Sequence, residues 1–230
     1  MYLEVRTPIL EPQSGAIVPY TTFLRKFKAD PPGKLYCLHG DRSVFRISLY
    51  AASHALLAGM PIALVDGTNR FDAYYIAEFA RRVTSQRLAT KHVKPEQLLE
   101  SIYISRAFTC YQMEATITER LPAFLTWKHS SVAIIFGLLD TFYDEQAPLF
   151  EVKASLQRII VSLYKLKQQN ISVLLASLDV KLASKERSVL FPKLRSAMDE
   201  VFTVIETDEG QRIEHETQQR KRLDSRLSRT

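Results

Sequence analysis

Apolar residues along this chain come in two alternating rhythms. Short, nearly unbroken runs rich in β-branched and aromatic residues recur at LYCLH (35–39), IALVD (62–66), IYISRAF (102–108), VAIIF (132–136), SVLLAS (172–177) and EVFTVIE (200–206). Between them lie longer stretches, at about 44–58, 71–88, 109–126, 147–170 and 185–198, with helical spacing. Leu156, Ile159, Ile160, Leu163 and Leu166, for example, follow the i, i+3, i+4 steps of an amphipathic helix. Runs that are almost wholly apolar suit strands covered on both faces. Strand–helix alternation of this kind predicts an α/β fold, a three-layer sandwich with a mostly parallel central sheet and helices on both faces.

The pattern also sets the expected divisions. Residues 1–33 are rich in Pro and polar residues and close on Pro31-Pro32-Gly33, a strong break; they read as an arm with one short helix, Thr21 to Lys28. Residues 34–210 form the core domain. Residues 211–230 carry six basic and three acidic residues with little apolar content and read as a basic, flexible tail. A chain of 230 residues suits one α/β domain.

Composition narrows the functional classes only modestly. A net charge of +6 suits a nucleic acid or another acidic partner, and equally an ordinary globular surface. Two distant cysteines, Cys37 and Cys110, give neither a disulfide framework nor a zinc site, so a reducing, cytoplasmic setting is expected. The amino-terminal residues lack a signal-peptide pattern, and no apolar run reaches the roughly 18 residues of a membrane span.

Glycines are few, and three follow predicted strands directly: Gly40, Gly67 and Gly137. Ligands of open α/β sheets bind at the carboxyl ends of strands. Glycine there either admits a ligand to the backbone or makes a tight turn. After the first strand, Gly40-Asp41-Arg42-Ser43-Val44-Phe45-Arg46-Ile47-Ser48 stands where a P-loop, G-x-x-x-x-G-K-[ST], would stand. Gly40 fits that pattern. Phe45 replaces the second glycine, Arg46 the lysine and Ile47 the metal-binding hydroxyl, with Ser48 one place late. A ring intrudes where backbone must wrap phosphate, and a planar guanidinium is not equivalent to a lysine. Gly40, Asp41, Arg42, Ser43, Arg46 and Ser48 are therefore the candidate nucleotide-binding residues of a degenerate P-loop, with hydrolysis not expected to be efficient.

Three further segments carry a resemblance. Ile104-Ser105-Arg106-Ala107-Phe108-Thr109-Cys110-Tyr111-Gln112 looks like the "ARAF…HQ" segment of archaeal and eukaryotic recombinases. Ala63-Leu64-Val65-Asp66-Gly67-Thr68-Asn69-Arg70-Phe71 is similar to the "YIDTEGTF" or "DGANxF" segment after the second strand, and Val132–Asp140 looks like the Walker B strand. With these, residues 33 to 206 resemble the RecA/RadA recombinase and KaiC-like ATPase superfamily. The resemblance implies ATP and magnesium as candidate ligands, and DNA, a RecA-like partner or further copies of the chain as candidate partners. It also marks departures. No glutamate follows the second strand, Phe136 and Gly137 replace the Walker B Asp and Ser, and Ala176-Ser177-Leu178-Asp179 lacks the sensor amide.

Asp140, Asp144 and Glu145 crowd the end of the fourth strand and, with Asp66, Asn69 and Gln112, make a candidate strand-end cluster. Substitute metal chemistry and a helix-capping loop both account for the acids. The five histidines show no metal-ligand spacing, so no metal site is expected; His39, at a strand end, reads as a ligand contact or a packed residue. Arg220, Lys221, Arg222 and Arg226 in the tail are candidate phosphate contacts, which would make binding salt-sensitive. Two functions are thus expected in competition. One is a non-hydrolysing RecA-like protein that binds DNA or a repair partner. The other is an atypical ATPase using Arg46, Ser48 and the acidic cluster.

Overall fold

The strands that read as continuous apolar runs are the ones the sheet encloses. The computed structural model of the chain describes residues 19–85, 93–144, 146–179, 186–207 and 210–216. Strands β1 (Leu35–Gly40), β2 (Ile62–Asp66) and β4 (Val132–Phe136) are buried throughout, and β5 (Ser172–Leu178) is buried up to its last residue. β3 (Ile102–Arg106) is only half covered, because it lies at an edge. With β6 (Glu200–Thr207) and β7 (Gly210–His215) the order is β3-β2-β4-β5-β1-β6-β7. All pairings are parallel except the β6–β7 hairpin, where Val204 faces Ile213.

The chain steps in two directions across this sheet, and each direction has its own helical layer. From β1 to β2 to β3 it passes through α2 (Ser43–Leu57), α3 (Ala73–Ser85) and α4 (Pro95–Leu99), whose apolar residues join one core cluster. Returning from β3 through β4 and β5 to β6, it passes through α5 (Cys110–Ala115), α6 (Leu121–Lys128), α7 (Leu149–Gln168) and α8 (Leu190–Ser196), which fill the opposite cluster. Parallel crossovers share one hand, so reversing the step across the sheet reverses the face that is covered. This is the expected three-layer α/β sandwich.

Between α5 and α6 the chain makes a π-helical turn, Thr116–Arg120. The looser winding frees backbone groups. The Ser162 hydroxyl of α7 meets this need by donating to the Ile117 carbonyl at 3.0 Å.

Both terminal segments contribute to the core, and the short helix expected in the amino-terminal arm is present. The amino-terminal arm contains α1 (Pro19–Ala29), and Phe23 and Leu24 of this helix are core residues. Phe23 packs edge-on against Phe202 with ring centroids 5.2 Å apart. The expected tail from residue 211 begins as strand β7, where Ile213 packs on the core and the His215 ring stacks on Phe202 at 4.6 Å. One apolar residue among polar neighbours is a weak period-two signal, yet it suffices for an edge strand already paired along its length. Residues 1–18 and 217–230 lie outside the described residues.

His54 is a buried imidazole of the first core. It lies beneath the Tyr50 and Phe79 rings, at 4.7 and 5.1 Å, and its Nδ1 faces the Lys28 ammonium at 3.2 Å. The ammonium can only donate, so Nδ1 accepts and the proton sits on Nε2. Nε2 finds no hydrogen-bond partner among the described residues. Burial first, and the Lys28 charge second, hold this imidazole down to about 3 from 6.5. The unfolded chain takes up a proton near 6.5 that the folded chain refuses. Stability from this site is therefore complete above the unfolded value and declines as pH falls toward the folded one. Urea unfolding should show a loss of about 2 kcal/mol from this residue between neutral pH and about pH 5. The pH dependence of His54→Gln should be shallower than that of the parent by that amount.

Candidate functional site at the carboxyl ends of the strands

Because β1 and β2 are followed by helices on one face and their neighbours β5 and β4 by helices on the other, two crevices open at the carboxyl ends. One lies between β1 and β5, the other between β2 and β4. Such reversals are where α/β sheets bind ligands.

The β1–β5 crevice holds the degenerate P-loop segment. Only Asp41 and Arg42 separate β1 from α2, which begins at Ser43. Positions that would wrap phosphate in a P-loop are thus already helical. Val44, Phe45 and Ile47 turn inward, and the Phe45 ring packs 5.1 Å from that of Phe136. The Ser48 hydroxyl is fully buried and donates to the Val44 carbonyl at 2.8 Å. Arg46 is exposed, with its guanidinium 5.6 Å from the Tyr75 ring centre. Gly40 adopts φ +136°, and a Cβ there would stand 2.0 Å from the Val204 carbonyl oxygen. The close approach that demands glycine is to β6.

Asp41 decides the chemistry of this crevice. Its Oδ1 accepts the Ser43 N–H at 2.7 Å and also the Ser43 hydroxyl. A helix N-terminus offers N–H groups and partial positive charge to an anion. Here the anion is the chain's own carboxylate. Of the six candidate nucleotide residues, Gly40, Asp41, Arg42 and Ser43 stand together at the strand end, while Arg46 and Ser48 point elsewhere.

In the β2–β4 crevice, Asp66 is buried and fully engaged. Oδ1 accepts N–H groups of Thr68 at 3.0 Å and Arg70 at 3.1 Å, and Oδ2 accepts that of Phe71 at 3.0 Å. It organises the loop on which Asn69 takes a left-handed φ of 55°. Across the crevice, Gly137 has φ +60°, and a Cβ there would lie 2.0 Å from Thr68 Cγ2 and 2.3 Å from Asp140 Oδ2. Asp66, Asn69 and Asp140 therefore share this crevice. Burial pushes the Asp140 carboxyl upward against a weaker pull from Arg70, and its buried Oδ2 has no hydrogen-bond partner among the described residues. The Tyr143 hydroxyl is pushed up to about 12, chiefly by burial and then by Asp140 and Asp179.

The remaining cluster candidates do not join them. Gln112 belongs to the start of α5, where its Oε1 accepts the Phe108 N–H at 2.9 Å and its own N–H donates to Thr109 Oγ1 at 3.2 Å. Asp144 is exposed and accepts the Gln146 N–H at 3.0 Å, a local turn contact. Glu145 and the tail residues Arg220, Lys221, Arg222 and Arg226 lie outside the described residues. Among the described residues no set of His, Cys, Asp and Glu is arranged to hold a metal ion. Both cysteines are buried; burial pushes the Cys37 thiol up to about 12 and the Cys110 thiol upward, so neither is a ready nucleophile.

Sequence reasoning missed Arg187 and the partners of His39 at this end of the sheet. Arg187, in the short 3-10 helix Glu186–Val189, is buried and donates to the carbonyls of Phe142 at 2.6 Å and Ala147 at 2.5 Å. It clamps the loop that carries the acids. His39 lies between two carboxylates, with Nδ1 2.9 Å from Asp179 Oδ1 and Nε2 2.7 Å from Glu216 Oε1. Glu216 also receives the Thr203 hydroxyl and the Arg195 guanidinium, tying the end of β7 to β1 and α8. These partners are far apart in sequence, and only the strand order unites them.

No protein-family model and no curated protein matches the chain. Among the described residues no helix is long and apolar enough to cross a membrane.

Two outcomes follow from these contacts. Arg187→Met should leave both carbonyls unpaired, lower stability by roughly 2–4 kcal/mol and speed hydrogen exchange in residues 140–147; urea unfolding and exchange mass spectrometry check this. Asp41→Ala should cost about 1 kcal/mol through the unpaired first turn of α2, read as a lower denaturation midpoint at constant slope.

Proposed function

We propose that this chain is a non-hydrolysing RecA/RadA-like protein that binds DNA within a recombination or repair assembly. The observation that carries the first half is Asp41, whose carboxylate occupies the position at the start of α2 that a phosphate would need. A triphosphate entering there meets like charge, a helix that starts too early for a wrapping loop, and no free hydroxyl for a metal. The atypical ATPase loses support on the same ground, because Arg46 and Ser48 face away from the crevice.

Three things support the second half. The segments with recombinase-like sequence are neighbours in the sheet, in the order β3-β2-β4. The overall charge is +6. Arg42 and Arg70 are exposed at the carboxyl ends of β1 and β2, with the exposed ring of Tyr74 close in sequence to the second. Guanidinium groups with nearby rings suit a polyanion whose bases stack.

Fluorescence anisotropy should show the full chain binding single-stranded DNA at low salt, with affinity falling steeply as salt rises. Mixed with ATP, magnesium and DNA it should release no phosphate. Absence of DNA binding at low salt would remove the proposal. So would phosphate release that disappears in Asp140→Ala, which would install the ATPase in its place.

A further inference from the structure

The two edges of the sheet are protected very differently. β7 carries Arg212, Glu214 and His215, charged or polar residues of the kind that keep an edge from pairing. β3 reads Ile-Tyr-Ile-Ser-Arg, without Pro, Lys or an acid inside the strand. Its central residue, Ile104, is 42% exposed. Beneath the edge, on the α6 side, runs a largely apolar groove of 350 Å³ lined by Tyr103, Ser105, Thr116, Arg120, Leu121 and Phe124. An aromatic row continues outward: Tyr103 and Phe124 rings lie 4.7 Å apart, Phe124 and Trp127 6.0 Å, and Trp127 is 68% exposed. The Lys128 ammonium lies 4.7 Å from the Tyr103 ring centre and 3.8 Å from that of Trp127.

The backbone phase of the edge is fixed by two hydrogen bonds. The Ser101 carbonyl accepts from Ile62 N–H at 3.0 Å, and Ala107 N–H donates to the Asp66 carbonyl at 3.2 Å. Odd-numbered residues therefore face β2, and Ile102, Ile104 and Arg106 present both N–H and C=O outward. Charge along the edge is polar in the same sense. Glu100 lies just before the strand and Arg106 at its end; both are exposed, and neither forms an ion pair among the described residues.

We propose that β3 is a self-association edge, and that two copies of the chain join by antiparallel β3–β3 pairing about a two-fold axis at Ile104. In this register Ile104 exchanges both of its hydrogen bonds with Ile104 of the second copy, and Ile102 does so with Arg106. All outward backbone groups of β3 are then satisfied reciprocally, as an isologous contact requires. The antiparallel sense brings Glu100 of each copy toward Arg106 of the other, whereas a parallel pairing would set like charges side by side. The Tyr103, Phe124 and Trp127 rows of both copies come to the same face of the joined sheet. The charge pattern and the reciprocal hydrogen-bond phase point to a second copy as the occupant.

The Ile104 N–H is used only across this edge, so Ile104→Pro removes a pairing donor without taking a bond from β2. Analytical ultracentrifugation of the full chain at about 100 μM, where association of micromolar strength is populated, should show a species of twice the monomer mass. Ile104→Pro and Ile104→Lys should each reduce it to a monomer with unchanged far-UV circular dichroism. Emission of Trp127, the only tryptophan in the chain, should shift to longer wavelength on dissociation. Ile104→Cys should be captured as a dimer by a short bismaleimide, whereas the parent, with Cys37 and Cys110 buried, should not. A parent chain that stays monomeric overturns the proposal. So does a dimer that survives Ile104→Lys and is not captured through residue 104. If Ile104→Pro fails to fold, the lysine variant and the cross-link decide alone.

Discussion

The position of β1 between β5 and β6 governs the rest of the molecule. A parallel strand in the middle of a sheet obliges the chain to leave over one face and come back over the other, because each crossover has the same hand. That reversal distributes four helices to each side and encloses β1 completely. It also leaves two gaps at the carboxyl ends, where consecutive loops part in opposite directions. Asp41 and His39 stand at one of those partings, and Asp66 and Asp140 at the other. Several polar groups at these gaps serve the fold itself: Asp41 serves α2, Asp66 serves its own loop, and Arg187 serves the loop after β4.

Much of the architecture was legible in the chain itself. β1, β2, β4 and β5 are apolar on both faces, and their runs stand out with little interference from turns. The long helix α7 is equally plain, since its apolar residues keep helical spacing over five turns. α4 leaves no clear sequence signal, because five residues that begin with Pro95 carry too short a period. β7 escaped notice because an edge strand needs only one apolar face, and Ile213 alone supplies it. Strand β3 is legible in the chain, but its outer side cannot be distinguished from an interior one without the strand order.

The candidate site was less legible than the fold. Gly40 matched a phosphate motif by position, yet its left-handed backbone answers to the neighbouring strand. Asp66 was noticed as a strand-end acid, and its commitment to three backbone N–H groups is a matter of loop geometry. Arg187 and the partners of His39 act across separations that no local pattern encodes. The residues that recognise ligands and those that hold loops together are of the same types, and spacing alone does not tell them apart.

The π-helical turn between α5 and α6 has a geometric consequence for the second core. Met113, Ile117, Leu121 and Leu125 are all buried and recur every fourth residue. In an ordinary α-helix each such step over-rotates by about 40°, so the last of four would have swung well away from the sheet. One wider turn in the middle unwinds that excess. A tetrad with a repeat foreign to the α-helix is thereby kept in line, and the helix runs along the sheet without having to coil around it.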